Sequence, residues 1–202
     1  MNRSAEVVAV SAGSQAQVAR VDDSPAMNLV RNIGIMLVGS ALIAVCAHVS
    51  VPLWFTPVPG TLQPFAVLLL GLLLGPRLAL GATVAYLAEG AAGLPVFTPL
   101  GPGGVAQLLG PTGGYLLSYP IVAPLVSAQW RRGERNFSRG LAVAGTGSLV
   151  TLGMGAVWLG FLTHAAPPMV LSHAVLPFLP GDVLKVCAAA GIAVGTSRWK
   201  RT

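Results

Sequence analysis

Charge is scarce in this chain. Asp, Glu, Lys and Arg make up 9% of its 202 residues, against about 25% in soluble domains, while apolar residues reach 54% and mean hydropathy is +0.74. Too few charges are present to cover a water-soluble surface, so an integral membrane protein is expected. Strand-like alternation is missing as well, which argues against a membrane barrel and leaves helices as the way to satisfy the backbone in lipid. Cysteine is reduced to Cys46 and Cys187, with no C-x-x-C pair. Neither a disulfide framework nor a thiolate metal site is implied, and both thiols read as small apolar side chains within spans. Enzyme motifs are lacking too. No H-E-x-x-H accompanies His164 or His173, no G-x-S-x-G occurs, and neither Lys185 nor Lys200 belongs to a G-x-x-x-x-G-K-[ST] loop. No catalysis, cofactor or metal is therefore expected, and any ATP that drives transport must be bound by another subunit.

What is present is a set of apolar runs rich in Gly (25 residues) and Pro (16 residues), a composition that suits close helix packing and broken helix ends in lipid. Six runs, at about 29–48, 62–75, 78–96, 114–130, 140–162 and 179–197, predict an all-α bundle of six transmembrane helices. Residues 1–27 read as a disordered cytoplasmic tail, 28–198 as the membrane domain and 199–202 as a basic cytoplasmic tail. With the N-terminus inside, Arg31, Arg77, Arg131, Arg132, Arg135, Arg139, Arg198, Lys200 and Arg201 fall on the inner side, while the outer connections 49–61, 97–113 and 163–178 hold no Lys or Arg. That asymmetry places both termini in the cytoplasm of a multi-pass protein of the cytoplasmic membrane. It also explains the formal charge of +6 through topology and lipid headgroups, with no nucleic-acid partner.

The outer connections are unusual. Val51-Pro-Leu-Trp-Phe-Thr-Pro-Val-Pro-Gly-Thr-Leu-Gln63 is too rich in Pro for a helix and too apolar for a solvated loop, so it is expected to fold back over something. Gly93-Leu-Pro-Val-Phe97, Gly101-Pro-Gly-Gly104 and Leu109-Gly-Pro-Thr-Gly-Gly-Tyr115 interrupt the region between spans 3 and 4. Broken segments at membrane depth are tolerated where they line a cavity or are buried in protein.

Within this setting Pro180-Gly-Asp-Val-Leu-Lys185 puts an acid and a base three residues apart, on one helix face, at the head of an apolar run. Two readings fit. Asp182 caps span 6 while Lys185 snorkels to water, or the pair turns inward, the carboxylate accepting ligand N–H groups and the ammonium donating to ligand oxygens. Glu89, one turn after Tyr86, is the other acid of the spans; it lies roughly 16 Å into span 3 by helical rise and is expected either to share that pocket or to make a packing contact. Trp54, Phe55, Phe97 and Tyr115 fit an interfacial belt or a cover over an apolar ligand. Thr61 and Gln63 add hydrogen-bonding groups at the start of span 2. Small residues four apart, such as Ser40 and Ala44, Gly71 and Gly75, or Gly147, Thr151 and Gly155, suit internal packing or the docking of another subunit.

The connection around Trp54, Leu73-Leu-Gly-Pro-Arg77, Gly93 to Phe97, Leu109 to Tyr115 and Pro180 to Lys185 together resemble the BioY family. These are the biotin-binding S components of energy-coupling-factor vitamin transporters. The resemblance spans about residues 29 to 197. It implies a six-helix subunit that captures biotin from outside and works with a transmembrane coupling subunit and two ATPases. It implies that Asp182 and Lys185 lie in the biotin pocket, that Gly113, Gly114 and Tyr115 with the Trp54 to Gln63 loop are its walls or lids, and that Ser40 and Ala44 dock the coupling subunit. Ser40 departs from the family's Ala-x-x-x-Ala at that surface. Biotin's ureido N–H donors suit Asp182 and its apolar body suits Trp54 and Phe55, whereas its carboxylate is left to Lys185 or to the amides of Gly110 to Gly114. The competing expectations are an S component for another vitamin, a membrane-embedded enzyme using Glu89, Asp182, His164 and His173, and a structural subunit without ligand.

Overall fold

The computed structural model describes residues 24–199. Most of the expected N-terminal tail, together with Lys200, Arg201 and Thr202, lies outside the described residues. The chain divides into two units, 1–35 and 36–202. In the first, the Ser24 hydroxyl accepts the Met27 N–H at 3.2 Å and so opens helix α1, Pro25–His48. The second holds α1 from Met36 onward, including Ser40 and Ala44, and the remaining elements. These are the two-stranded ribbon β1 (Ser50–Val51) and β2 (Gly60–Thr61), α2 (Gln63–Leu73), α3 (Pro76–Ala91), α4 (Gly104–Leu109), α5 (Gly113–Arg131), α6 (Phe137–Thr163), α7 (Pro167–Ala174) and α8 (Leu179–Trp199).

Each of the six expected runs contains a helix, but they are not alike. Three are long and apolar enough to cross a membrane by themselves: α1, α6 and the Leu179–Ser197 part of α8. α2 has 11 residues, about 16 Å by helical rise. It is apolar on all sides because it is surrounded by protein, packing against α3, α5, α6 and α8. Gln63, Ala66, Val67, Leu68, Leu69, Leu70, Gly71 and Leu72 are all buried. The helix stops before Gly75-Pro76, where the residue ahead of a proline is pushed into extended geometry. Its last turn is closed by Ser127, whose hydroxyl donates to the Leu74 carbonyl at 2.6 Å.

Span 3 ends earlier than its hydropathy predicts, at Ala91 rather than near residue 96. Gly93 takes φ +92, its N–H meets the Gly90 carbonyl, and the Leu94 N–H reaches back to the Glu89 carbonyl. This is a Schellman closure, which a residue with a Cβ adopts only with strain.

Small residues bring α6 into the core. Gly140, Val143, Ala144, Gly147, Ser148, Thr151, Leu152, Gly155 and Leu159 form its buried stripe, at helical period. A Cβ on Gly147 would fall 2.6 Å from a Val126 methyl, and one on Gly155 would strike the Tyr115 ring. Gly71 faces the Ala123 carbonyl in the same close manner. These glycines serve internal packing, whereas Gly191 and Gly195 have no such neighbour within 4 Å.

Candidate functional site

α8 turns one stripe inward: Asp182, then Ala189, Ala190, Ala193 and Val194. Val183 and Leu184 face outward. The helical period therefore carries Asp182 and Lys185 into the interior. Asp182 is 5% exposed, and the Lys185 side chain 13%. Lys185 Nζ donates to Asp182 Oδ1 at 2.9 Å, and Ser148 Oγ, from the buried stripe of α6, donates to Asp182 Oδ2 at 2.8 Å. Each carboxylate oxygen thus has its own donor, as a buried charge requires. Lys185 does not snorkel to water but remains beside its partner.

This pair forms one wall of a cavity. Thr151 and Leu152 of α6 and Tyr115, Leu116 and Tyr119 of α5 form the next, and Phe178 stands just before α8. Thr61 and Gln63, with Val58 and Pro59 of the β1–β2 loop, also line it, as do Thr98, Gln107 and Thr112. The cavity encloses about 40 Å³, and about 500 Å³ with its open mouth included. The enclosed part has room for ordered water, and a larger ligand occupies the mouth or displaces wall residues.

The wall is held by hydrogen bonds to the backbone. Tyr115 Oη donates to the Ala174 carbonyl at 2.6 Å, while Thr56 Oγ1 donates to the His173 carbonyl at 2.8 Å. Both latch onto the end of α7. Phe178 meets the Tyr115 ring nearly edge-on, with centroids 6.0 Å apart. The proline-rich connection does fold back as its composition predicts, since its own Val58 is buried and lines the cavity. Gln107 Oε1 accepts the Gly103 N–H at 3.1 Å, and its amide nitrogen donates to Thr112 Oγ1 at 3.4 Å.

Of the residues singled out from sequence, Asp182, Lys185, Tyr115, Gln63 and Thr61 meet at this cavity. Tyr86 lies behind it, fully buried and hydrogen-bonded to Gln63. Glu89 does not share the pocket: Ser40 Oγ donates to its Oε2 at 2.5 Å, a contact between α1 and α3. The same bond buries Ser40 completely, so Ser40 presents no free face to a docking subunit. Ala44 is half-buried. Gly113 and Gly114 are packing positions, where a Cβ would meet the Leu108 carbonyl or Trp158. Trp54 and Phe55 pack edge-on to each other at 5.3 Å, away from the cavity, with Trp54 95% exposed. Sequence reasoning missed Ser148, Thr151, Tyr119, Phe178, Thr98, Gln107 and Thr112. Ser148 and Thr151 carried a signal, a polar pair three apart inside a glycine stripe. Thr98 and Gln107 carried none.

Fold and site define a helical membrane protein with a small, mixed polar and aromatic pocket between its helices. The sequence matches the family model described as BioY family over residues 14–202. This chain belongs to the BioY family. It is 37% identical to the probable biotin transporter BioY of Pyrococcus horikoshii over 81% of this chain and 94% of that protein. It is 39% identical to the biotin transporter BioY of Thermotoga maritima over 77% of this chain and 89% of that protein. The crystal structure of the S-component for biotin from an ECF-type ABC transporter is similar to it at TM-score 0.78 and 28% identity, covering 85% of this chain and 93% of that one.

Proposed function

We propose that this chain is the substrate-capture subunit for biotin uptake across a membrane, and not an enzyme. One observation carries the reading. In a member of the BioY family, a buried carboxylate with an ammonium 2.9 Å away lines a pocket walled by Tyr115, Leu116 and Phe178. A urea group presents N–H donors and a carbonyl on one carbon. Asp182 accepts from the former, Lys185 donates to the latter, and the apolar ring system lies against the aromatic wall. Biotin's carboxylate sits at the far end of an aliphatic arm, too remote for Lys185 once the ureido head is seated. The Gly110 and Gly113 amides already bond to the carbonyls of Gln107 and Gly110. The side-chain amide of Gln107 and the hydroxyls of Thr98 and Thr112, which line the cavity, are then the carboxylate's partners, the long 3.4 Å bond from Gln107 Nε2 to Thr112 Oγ1 giving way to the ligand. Thr61, Gln63 and Tyr115 complete the site, with Tyr86 supporting Gln63.

The same proposal includes six spans, α1, α2, α3, α5, α6 and α8, with both termini in the cytoplasm, as the distribution of Arg and Lys supports. It takes residues 28–198 as the membrane domain between two cytoplasmic tails, and the cytoplasmic membrane as its location. Delivery inward falls to a transmembrane coupling subunit and ATPases, since the chain carries no nucleotide loop; Ala44 remains a docking position and Ser40 only through its packing. Labelled biotin binding to membranes tests the site: Asp182→Asn and Lys185→Ala are expected to abolish it, and undiminished binding in both overturns the assignment.

A further inference from the structure

The short helix α4 is inside out by the standard of a soluble protein. Its buried residue is Gln107, 1% exposed, whereas Val105 and Leu109 stand 54% and 63% exposed. Against water, the hydrophobic effect favours the opposite arrangement. The neighbouring segments around the pocket mouth repeat it. The β1–β2 loop holds the Trp54 and Phe55 pair on its outside, and α7 turns Met169 and Leu171 outward. Residues 49–62, 92–112 and 163–178, which make up this cap, contain no Asp, Glu, Lys or Arg. Its irregular backbone is nevertheless tied down from within: Thr56 to the His173 carbonyl, Tyr115 to the Ala174 carbonyl, and Trp158 Nε1 to the Gly110 carbonyl at 2.9 Å. Non-helical backbone is tolerated at membrane depth where protein satisfies it in this way.

We propose that this cap is seated in the bilayer interface, with lipid rather than water covering α4, α7 and the tip of the β1–β2 loop. Trp54 is the anchor, its ring apolar and its N–H polar, a combination favoured at the headgroup boundary. With no Lys or Arg in the cap, which holds only His164 and His173 as titratable bases, the attraction at neutral pH is apolar and requires no anionic lipid, unlike a polybasic surface. The pocket mouth consequently opens at the membrane surface, and a ligand reaches it along the interface. The proposal stands on exposure and charge alone and is independent of the ligand's identity.

The test is tryptophan fluorescence of the full chain in phosphatidylcholine vesicles, compared with Trp54→Phe so that the difference isolates Trp54. The expected signal is blue-shifted, is quenched by phosphatidylcholine brominated near the headgroup, resists acrylamide and is unchanged by high salt. Quenching by acrylamide without quenching by brominated lipid overturns the proposal, because Trp54 then faces water. Quenching by neither also overturns it, because protein, such as a second copy, then covers the tip. A second measurement uses Leu109→Cys in a Cys46→Ala, Cys187→Ala background. Slow labelling by a charged thiol reagent and ready labelling by a lipid-soluble maleimide are expected; rapid labelling by the charged reagent places α4 in water and overturns the idea.

Discussion

Ser148 and Asp182 are 34 residues apart in the chain and joined by a hydrogen bond of 2.8 Å, on the carboxylate oxygen that Lys185 does not hold. Ser148 is itself absent from the cavity wall, so it acts through Asp182. It keeps that carboxylate from turning wholly toward Lys185. Ser148→Ala is expected to weaken biotin binding about tenfold, on the order of the 1.5 kcal/mol that a hydrogen bond to a charged group contributes. Ser148→Thr retains the hydroxyl and is expected to restore part of the affinity in equilibrium binding.

The Asp182–Lys185 pair separates stability from binding. Removing one member leaves an uncompensated buried charge, at a cost of about 3–5 kcal/mol, so Lys185→Met is expected to lower the melting temperature and abolish binding. Asp182→Asn combined with Lys185→Met removes both charges. It is expected to regain most of the stability in a thermal melt without regaining binding.

Gln107 distinguishes the two ends of the ligand. Gln107→Leu removes a side-chain amide that lines the cavity and is expected to weaken biotin while leaving biotin methyl ester nearly unaffected. Lys185→Ala is expected to weaken both alike. Calorimetric titration of the two ligands reads the contrast, and equal losses for both in Gln107→Leu would disprove the proposed orientation.

Gly155 admits the Tyr115 ring between α5 and α6. Any side chain there collides with the ring, and forced overpacking costs about 1–3 kcal/mol. Gly155→Val is expected to lower the melting temperature, displace Tyr115 from the Ala174 carbonyl and reduce biotin binding. Gly153, with nothing within 4 Å of its Cβ position, serves as the control, and Gly153→Ala is expected to leave both measurements unchanged.

Ser40 supports Glu89 rather than the pocket. Ser40→Ala leaves that carboxylate without its hydroxyl donor and is expected to cost about 1–3 kcal/mol of stability, read by thermal melting. Biotin affinity is expected to stay at the parent value.

The positions of α1, α2, α3, α5, α6 and α8 were legible as apolar runs, and three of them, α1, α6 and α8, have the length and hydropathy to cross a membrane. Their ends were less so. α3 stops at Ala91 through a Schellman closure around Gly93, a matter of backbone hydrogen bonds rather than hydropathy. α2, though the most apolar, has 11 residues and is packed against four other helices.

The site divides along the same line. Three-residue spacing at the head of an apolar run, with charge-free connections around it, marked Asp182 and Lys185 from sequence, because an acid and a base on one helix face are a local relation. Periodicity does not say which face is inward, nor what arrives from other helices. Only the tertiary structure decided that Ser148 meets Asp182, that Gln107 lines the cavity, that Glu89 belongs with Ser40, and that Trp54 turns away. Those relations join residues remote in the chain, and they are set by which helices pack together and how closely their glycines let them approach.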